Sequence, residues 1–257
     1  MQISSARNPL LQKVRRAASS GRPAEDGSIA IEGPHLLAEA LQSSWRLGQV
    51  FTTPAGRNRH QKLLAGFSGE IIEVPARTFA SFSSTQTSQE ILTLVTPRVS
   101  TWQEVIHSPG IVVVLDGVQD PGNAGTIVRS AEAFGSSGIV FLGGCVQLAN
   151  GKFLRATAGS IFRLPFLAAV TPNEFLAQMA GRRKLYALAA KGETVLTAVD
   201  LRQSCALIVG NEGSGVSPEL LAASVSLRIP TRRVESLNAA MACSVALFEA
   251  ARQRTFL

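Results

Sequence analysis

Six short hydrophobic runs punctuate the second half of the chain: IVVVL (111–115), GIVFL (138–142), LPFLAA (164–169), LYALAA (185–190), ALIVG (206–210) and SLRIP (226–230). Several are apolar throughout rather than at alternate positions. A strand covered on one face alternates, whereas a strand covered on both reads as a continuous apolar run, the form taken by parallel sheets sandwiched between helices. The pattern predicts an α/β domain with a mostly parallel sheet. The stretch ESLNAAMACSVALFEAARQR (235–254) reads as a long final helix whose alanines allow close packing. The first part alternates helix and strand on a smaller scale. SSARNPLLQKVRRAAS reads as a short basic helix. SIAIEG, QVFTT, IIEVP and SQEILTLV read as strands, and PHLLAEALQSS as a helix with Pro34 near its first turn. VTPRVSTWQEVIHSPG, with two prolines among polar residues, reads as a linker. The expected division is a smaller α/β domain over 1–96, a linker over 97–110 and a larger α/β domain over 111–257.

Composition narrows the class. The 257 residues are 46% hydrophobic and 17% charged, a core-forming balance. The N-terminus lacks the apolar block of a secretory signal, so a cytoplasmic location is expected. Net charge is +7, which favours a polyanionic partner such as nucleic acid. The excess is spread: residues 1–107 carry 11 Lys+Arg against 8 Asp+Glu, and residues 108–257 carry 14 against 10. Cys145, Cys205 and Cys243 show no CxxC spacing, and His35, His60 and His107 no ligand spacing, so neither a disulfide framework nor a metal is expected.

Three loop segments carry the candidate chemistry. In DPGNAGTIVRSAEAFG (120–135) a turn-forming Pro, Gly and Asn cluster opens a helix that bears Arg129. Asn123 and Arg129 are readable either as helix cap and surface charge or as parts of an RNA-handling site. In LIVGNEGSGVSPEL (207–220) a buried strand ends at Gly210 in a glycine-rich turn, the place where α/β proteins bind ligands. The turn is not a P-loop, because Val216 stands where the phosphate-binding lysine belongs, nor a dinucleotide fingerprint, because Pro218 replaces the last glycine. In IPTRRVESLNAAMA (229–242), Ser236 and Asn238 precede the final helix and are also readable as caps.

Taken in this order, the three segments resemble the three motifs of the SpoU (TrmH-type) RNA 2'-O-ribose methyltransferases of the SPOUT superfamily. FLRATAGSIFRLPF (153–166) is similar to the intermediate segment of that family. SARNPLLQKVRR, IEGPHLLAEAL and SQEILTLV resemble a ribosomal-protein L30e-like substrate-binding domain. The third motif departs from the family pattern: IP is followed by Thr231, Arg232 and Arg233, and the spacing to SLN is one residue shorter. The resemblance implies a SPOUT α/β fold with a C-terminal trefoil knot, S-adenosyl-L-methionine as cofactor, a homodimer, and structured RNA as substrate, with large-subunit ribosomal RNA favoured. A non-catalytic RNA-binding protein of the same fold and a tRNA ribose methyltransferase are the alternatives.

The resemblance also assigns residues. Asn123, Arg129, Glu212, Ser236 and Asn238 are the expected catalytic group. Ile229 and Leu237 are expected at the adenine pocket, with Leu142 and Gly143 as further candidates. Gly210 is expected where the backbone approaches the adenosyl group. RNA phosphates are expected at Arg7, Lys13, Arg15 and Arg16; Lys13 and Arg16 lie three apart and share a helix face. A free guanidinium is too basic to accept a proton at neutral pH, so Arg129 is expected to hold phosphate and stabilise charge on the 2'-oxygen.

Overall fold

The computed structural model describes residues 8–19, 21–85, 87–106 and 108–254. Arg7 and His107 lie outside the described residues. The chain packs as two units, one of residues 1–98 and 147–162, the other of 99–146 and 163–257.

The first unit is built on a four-stranded sheet of β1 (Ile29–Glu32), β2 (Arg46–Thr52), β3 (Ile71–Glu73) and β4 (Ile91–Thr96), in the order β1-β4-β2-β3. β4 is antiparallel to both β1 and β2, and β2 and β3 run parallel. Successive residues point to opposite faces, and both faces are covered. Phe51, Ile72 and Leu92 pack with Leu11, Val14 and Ala17 of the basic helix Pro9–Ser19 on one side. Val50 and Ile91 pack with Leu37 and Leu64 on the other. The apolar stripe of that basic helix is buried, which leaves its cations outward.

Residues 147–162 belong by packing to this same unit, although they fall inside the span 111–257. They form the helix Gly151–Ala156, which lies against β1, and a 3-10 turn, Ser160–Phe162. Asn150 caps the helix by accepting from the backbone N–H of Lys152 and Phe153. Phe162 meets Trp45 edge-on at 4.6 Å between ring centres.

The second unit contains a seven-stranded sheet: β5 (Ile111–Asp116), β6 (Gly138–Leu142), β7 (Phe166–Val170), β8 (Lys184–Leu188), β9 (Thr194–Val195), β10 (Cys205–Gly210) and β11 (Val225–Arg228). Its order is β7-β6-β5-β10-β8-β11-β9, and each of its pairings is parallel. β5, β6 and β10 are buried at every position, as their unbroken apolar runs require. The two-residue β9 has too little pattern to be read from sequence. Residues 97–110, expected as a linker, hold the helix Trp102–Ile106, whose Val105 and Ile106 are buried in the core of this unit. Arg183 ties that segment down by donating to the carbonyls of Ile106, Ser108 and Gly110.

Two helices set the geometry of the loops. Pro121–Ala133 follows β5, with Pro121 in its first turn and Asp120 as its cap, accepting from the N–H of Asn123 at 2.7 Å. The final helix is Ala239–Gln253, shorter at its start than the sequence reading, because Asn238 is its cap. The two helices pack together; Ser130 and Ser244 share a 2.7 Å hydrogen bond, and Phe134 meets Phe248.

Candidate active site

Three loops of the second unit converge. The first opens the Pro121–Ala133 helix, the second follows β10, and the third leads from β11 to the final helix. Asn123 joins all three: its Nδ2 donates to Glu212 Oε1 at 2.7 Å, and its Oδ1 accepts from Asn238 Nδ2 at 3.0 Å. The other half of the Asn238 amide caps the final helix, accepting from the N–H of Ala240 at 2.9 Å and Met241 at 3.3 Å. Capping and loop joining are therefore the work of one side chain. Asn123 is not the cap of its own helix; Asp120 is.

The β10 loop is held by residues beyond the expected group. Asn211 Oδ1 accepts from the N–H of Gly213 and Ser214, while its Nδ2 donates to the Gly117 carbonyl at 2.8 Å. Asn211 and Gly215 exchange backbone hydrogen bonds and close the turn. Asp116, at the end of β5 and only 8% exposed, accepts from the Ser217 N–H at 2.6 Å. These contacts fix the loop against the adjacent strand. In the third loop, the Thr231 hydroxyl donates to the Val234 carbonyl at 2.6 Å, which closes the shortened segment and leaves Arg232 and Arg233 exposed.

A cavity of about 750 Å³ lies at the carboxyl ends of β8, β10 and β11. Leu188, Val209, Leu227, Ile229 and Leu237 supply apolar walls. Glu212, Ser236 and Asn238 supply polar groups, and Gly210 also lines the cavity. Ala189, Ala190 and Lys191 complete one wall. The sequence reading placed Ala189 and Ala190 in a strand; β8 stops at Leu188, and Gly192 is the signal for that turn.

Gly210 has a reason of its own within the fold. A Cβ there would sit 2.1 Å from Gly215 C and 2.2 Å from Val216 N, so the side chain is excluded by the return of its own loop. Leu142 and Gly143 do not reach the cavity. β6 is separated from β10 by β5, and Leu142 is buried in the core with Val140 and Val170. Arg129 is exposed and does not line the cavity. The basic helix of the first unit is partly engaged: Lys13 pairs with Asp26 at 2.6 Å, Arg16 with Glu25 at 3.9 Å, and Arg15 Nη2 donates to Ser81 Oγ.

The cysteines supply no nucleophile. Burial pushes Cys145 and Cys205 up to about 11 and Cys243 up to about 12, so each is a neutral thiol at pH 7. Among the described residues no cluster of His, Cys, Asp and Glu could hold a metal, and no helix is long and apolar enough to cross a membrane.

Comparison with known proteins decides the family. The model of the SpoU rRNA methylase family matches residues 110–248. The chain belongs to the SpoU rRNA methylase family. Its class is that of an RNA 2'-O-ribose methyltransferase. Residues 11–93 match the MRM3-like substrate binding domain. Over 249 residues, 96% of this chain and 98% of the relative, this SpoU chain is 30% identical to the 23S rRNA (guanosine(2553)-2'-O)-methyltransferase RlmP of Bacillus subtilis. Among solved structures it resembles an AdoMet-bound rRNA methyltransferase from Sinorhizobium meliloti, with a TM-score of 0.85, 27% identity and coverage of 98% and 97% of the two chains. It also resembles an RNA 2'-O ribose methyltransferase, with a TM-score of 0.80, 28% identity and 99% coverage of both.

Proposed function

We propose that this SpoU chain transfers a methyl group from S-adenosyl-L-methionine to a ribose 2'-hydroxyl of large-subunit ribosomal RNA. The observation that carries the reading is the junction of Asn123, Glu212 and Asn238 beside a cavity walled by apolar side chains. That cavity fits the cofactor: its size is that of small-molecule sites, about 300–1,000 Å³. Its apolar walls suit an adenine, and Glu212, Ser236 and Asn238 suit the charged amino-acid end.

The bound cofactor supplies a methyl carbon already activated by a positive sulfur, so the displacement requires no metal. The protein has to hold the attacking oxygen in line and manage the hydroxyl proton. Positioning of this kind contributes about 7–11 kcal/mol in favourable cases. Asn123 holds Glu212 and Asn238 in place beside the cavity, a rigid arrangement because the amides of Asn123 and Asn238 are each committed on both sides. Ile229 and Leu237 grip the adenine, and Ser236 hydrogen-bonds substrate or cofactor. Arg129 grips the phosphate beside the target ribose and stabilises charge developing on the 2'-oxygen.

Arg129 stands exposed, away from the cavity of its own chain, where RNA or a second copy can reach it. The reading includes a homodimer in the cytoplasm and a knotted C-terminal region. The dimer is supported by an apolar stripe on the final helix: Met241, Val245 and Phe248 are 60%, 41% and 45% exposed. Residues four and three apart share a helix face, so the three form one patch. Large-subunit RNA is supported by the relative from Bacillus subtilis, which carries that target in its name. RNA phosphates meet Arg7, Lys13, Arg15 and Arg16; exposed ion pairs such as Lys13–Asp26 are worth about 0–1 kcal/mol, weak enough for phosphate to displace.

Calorimetry with S-adenosylhomocysteine tests the cofactor half of this reading. Saturable binding at sub-millimolar concentration is expected. A flat isotherm would leave an RNA-binding protein of the same fold.

A further inference from the structure

A second cavity, of about 230 Å³, lies wholly within the first unit. It is lined by Glu32, His35, Thr85, Thr87, Gln89 and Arg155 among others. Arg155 comes from the 147–162 segment, so residues distant in sequence are brought to one place by the packing of the Gly151–Ala156 helix on β1.

The hydrogen bonding of this cavity is directional. Glu32, 8% exposed, accepts from the hydroxyls of Ser83, Ser84 and Thr85 and from the Ser84 N–H. The carboxylate is thus saturated by the segment that precedes β4. Thr85, having given its proton to Glu32, keeps acceptor lone pairs at the cavity wall. Arg155 Nη1 donates to Ser84 Oγ at 3.1 Å, which orients the guanidinium and leaves its other N–H groups for a ligand. His35 is exposed, and its Nε2 lies 3.2 Å from the Ala158 carbonyl, to which it donates, so the ring is fixed. Gln89 adds an amide with both donor and acceptor atoms.

A pocket that offers a guanidinium, an imidazole, a hydroxyl acceptor and an amide is matched to a heteroaromatic ring with polar edges. Unstacked RNA bases bind in this way, stacked on His or Arg and hydrogen-bonded along their edges. Lys152, exposed and three residues before Arg155 on the same helix face, is placed for the flanking phosphate. We infer that this cavity is a nucleotide subsite, which takes one unstacked base of the substrate RNA between His35 and Arg155. The inference rests on the RNA-methyltransferase reading and adds to it the place where the N-terminal unit reads its substrate.

The test uses the full chain and fluorescein-labelled RNA hexamers of A, C, G and U, followed by fluorescence anisotropy. Arg155→Ala and His35→Ala should each weaken the best-bound hexamer about 5- to 100-fold, the range of a lost stacking partner. Thr87→Phe, on an exposed loop, should fill the cavity and weaken binding to a similar degree. S-adenosylhomocysteine affinity should stay at the wild-type value in each variant, which certifies that the second unit is folded. The KM for protein-free large-subunit ribosomal RNA should rise in the same order. Wild-type hexamer affinity in all three variants, with wild-type KM, overturns the subsite while methylation by the parent chain stands. Loss of binding in Arg155→Ala that Arg155→Lys restores fully would reduce the site to a point charge and overturn base stacking. If the parent neither binds S-adenosylhomocysteine nor methylates RNA, the enzymatic reading fails, and the hexamer affinities still decide the subsite.

Discussion

Asn123 and Asn238, 115 positions apart, are joined amide to amide at 3.0 Å, and each is committed a second time, Asn123 to Glu212 and Asn238 to the first N–H groups of the final helix. One hydrogen bond thereby couples the entry of one helix to the cap of another. Asn238→Ala should cost about 1 kcal/mol as a lost cap. In a double-mutant cycle with Asn123→Ala, urea denaturation should give a coupling of about 0.5–1.5 kcal/mol. Costs that add within about 0.3 kcal/mol would show that the two amides act independently.

Arg129 is exposed and does not line the cavity at the carboxyl ends of β8, β10 and β11. Arg129→Ala should abolish methyl transfer and leave S-adenosylhomocysteine affinity within about twofold, since surface substitutions away from packed contacts usually stay within about 0.5 kcal/mol. Arg129→Lys should restore little, because a point charge lacks the planar fork that grips phosphate. Parallel loss of cofactor binding and activity would make Arg129 structural.

Gly210 has no room for a methyl group: a Cβ would fall 2.1 Å from the Gly215 backbone. Backbone cannot swing aside as a side-chain end can. Gly210→Ala should therefore open the β10 loop, at a cost of about 1–3 kcal/mol in overpacking. Calorimetry should find S-adenosylhomocysteine affinity at least tenfold lower (about 1.4 kcal/mol). Unchanged affinity would mean that the loop shape is not what the cofactor reads.

Glu32 carries a pH signature. Burial works to raise its carboxyl, but the hydrogen bonds from Ser83, Thr85 and Ser84 outweigh that and hold it below the ordinary carboxylate value. A carboxylate lowered in the folded state stabilises fully above its unfolded pKa and loses that contribution as pH falls through the folded one. Stability should thus drop as pH falls below the ordinary carboxylate value, and more steeply in the parent chain than in Glu32→Gln. At pH 7 the substitution should cost about 1–3 kcal/mol. Equal acid slopes for the two proteins, read from urea midpoints, would contradict this.

The stripe of Met241, Val245 and Phe248 predicts association. The parent is expected to sediment as a dimer, and Met241→Glu combined with Phe248→Glu should yield a monomer in sedimentation velocity. A parent chain that is monomeric throughout would remove this part of the account.

Sequence carried the catalytic unit well because its strands are buried on both faces, which leaves unbroken apolar runs such as IVVVL and ALIVG. The three loops were legible as motifs, and the structure brings Asn123, Glu212 and Asn238 together. What escaped was what depends on strand order. Leu142 ends a strand as Gly210 does, and Gly143 follows it, yet β5 separates β6 from β10. Asp116 and Asn211 act by hydrogen bonds to backbone atoms about a hundred residues away, for which local pattern holds no signal. The residues 147–162 read as part of one domain because chain order says so; their packing is with β1 and Trp45. The short linker helix hid Val105 and Ile106 in a segment whose prolines dominate the reading.

Methyl transfer to a ribose oxygen is read out by nucleoside mass spectrometry. Purified protein is incubated with S-adenosylmethionine bearing a deuterated methyl group and with protein-free large-subunit ribosomal RNA, and the RNA is digested to nucleosides. A single labelled nucleoside is expected, whose fragmentation leaves the label on the sugar and which is absent with Arg129→Ala. Label on a base, or none in RNA when S-adenosylhomocysteine binds normally, would contradict it.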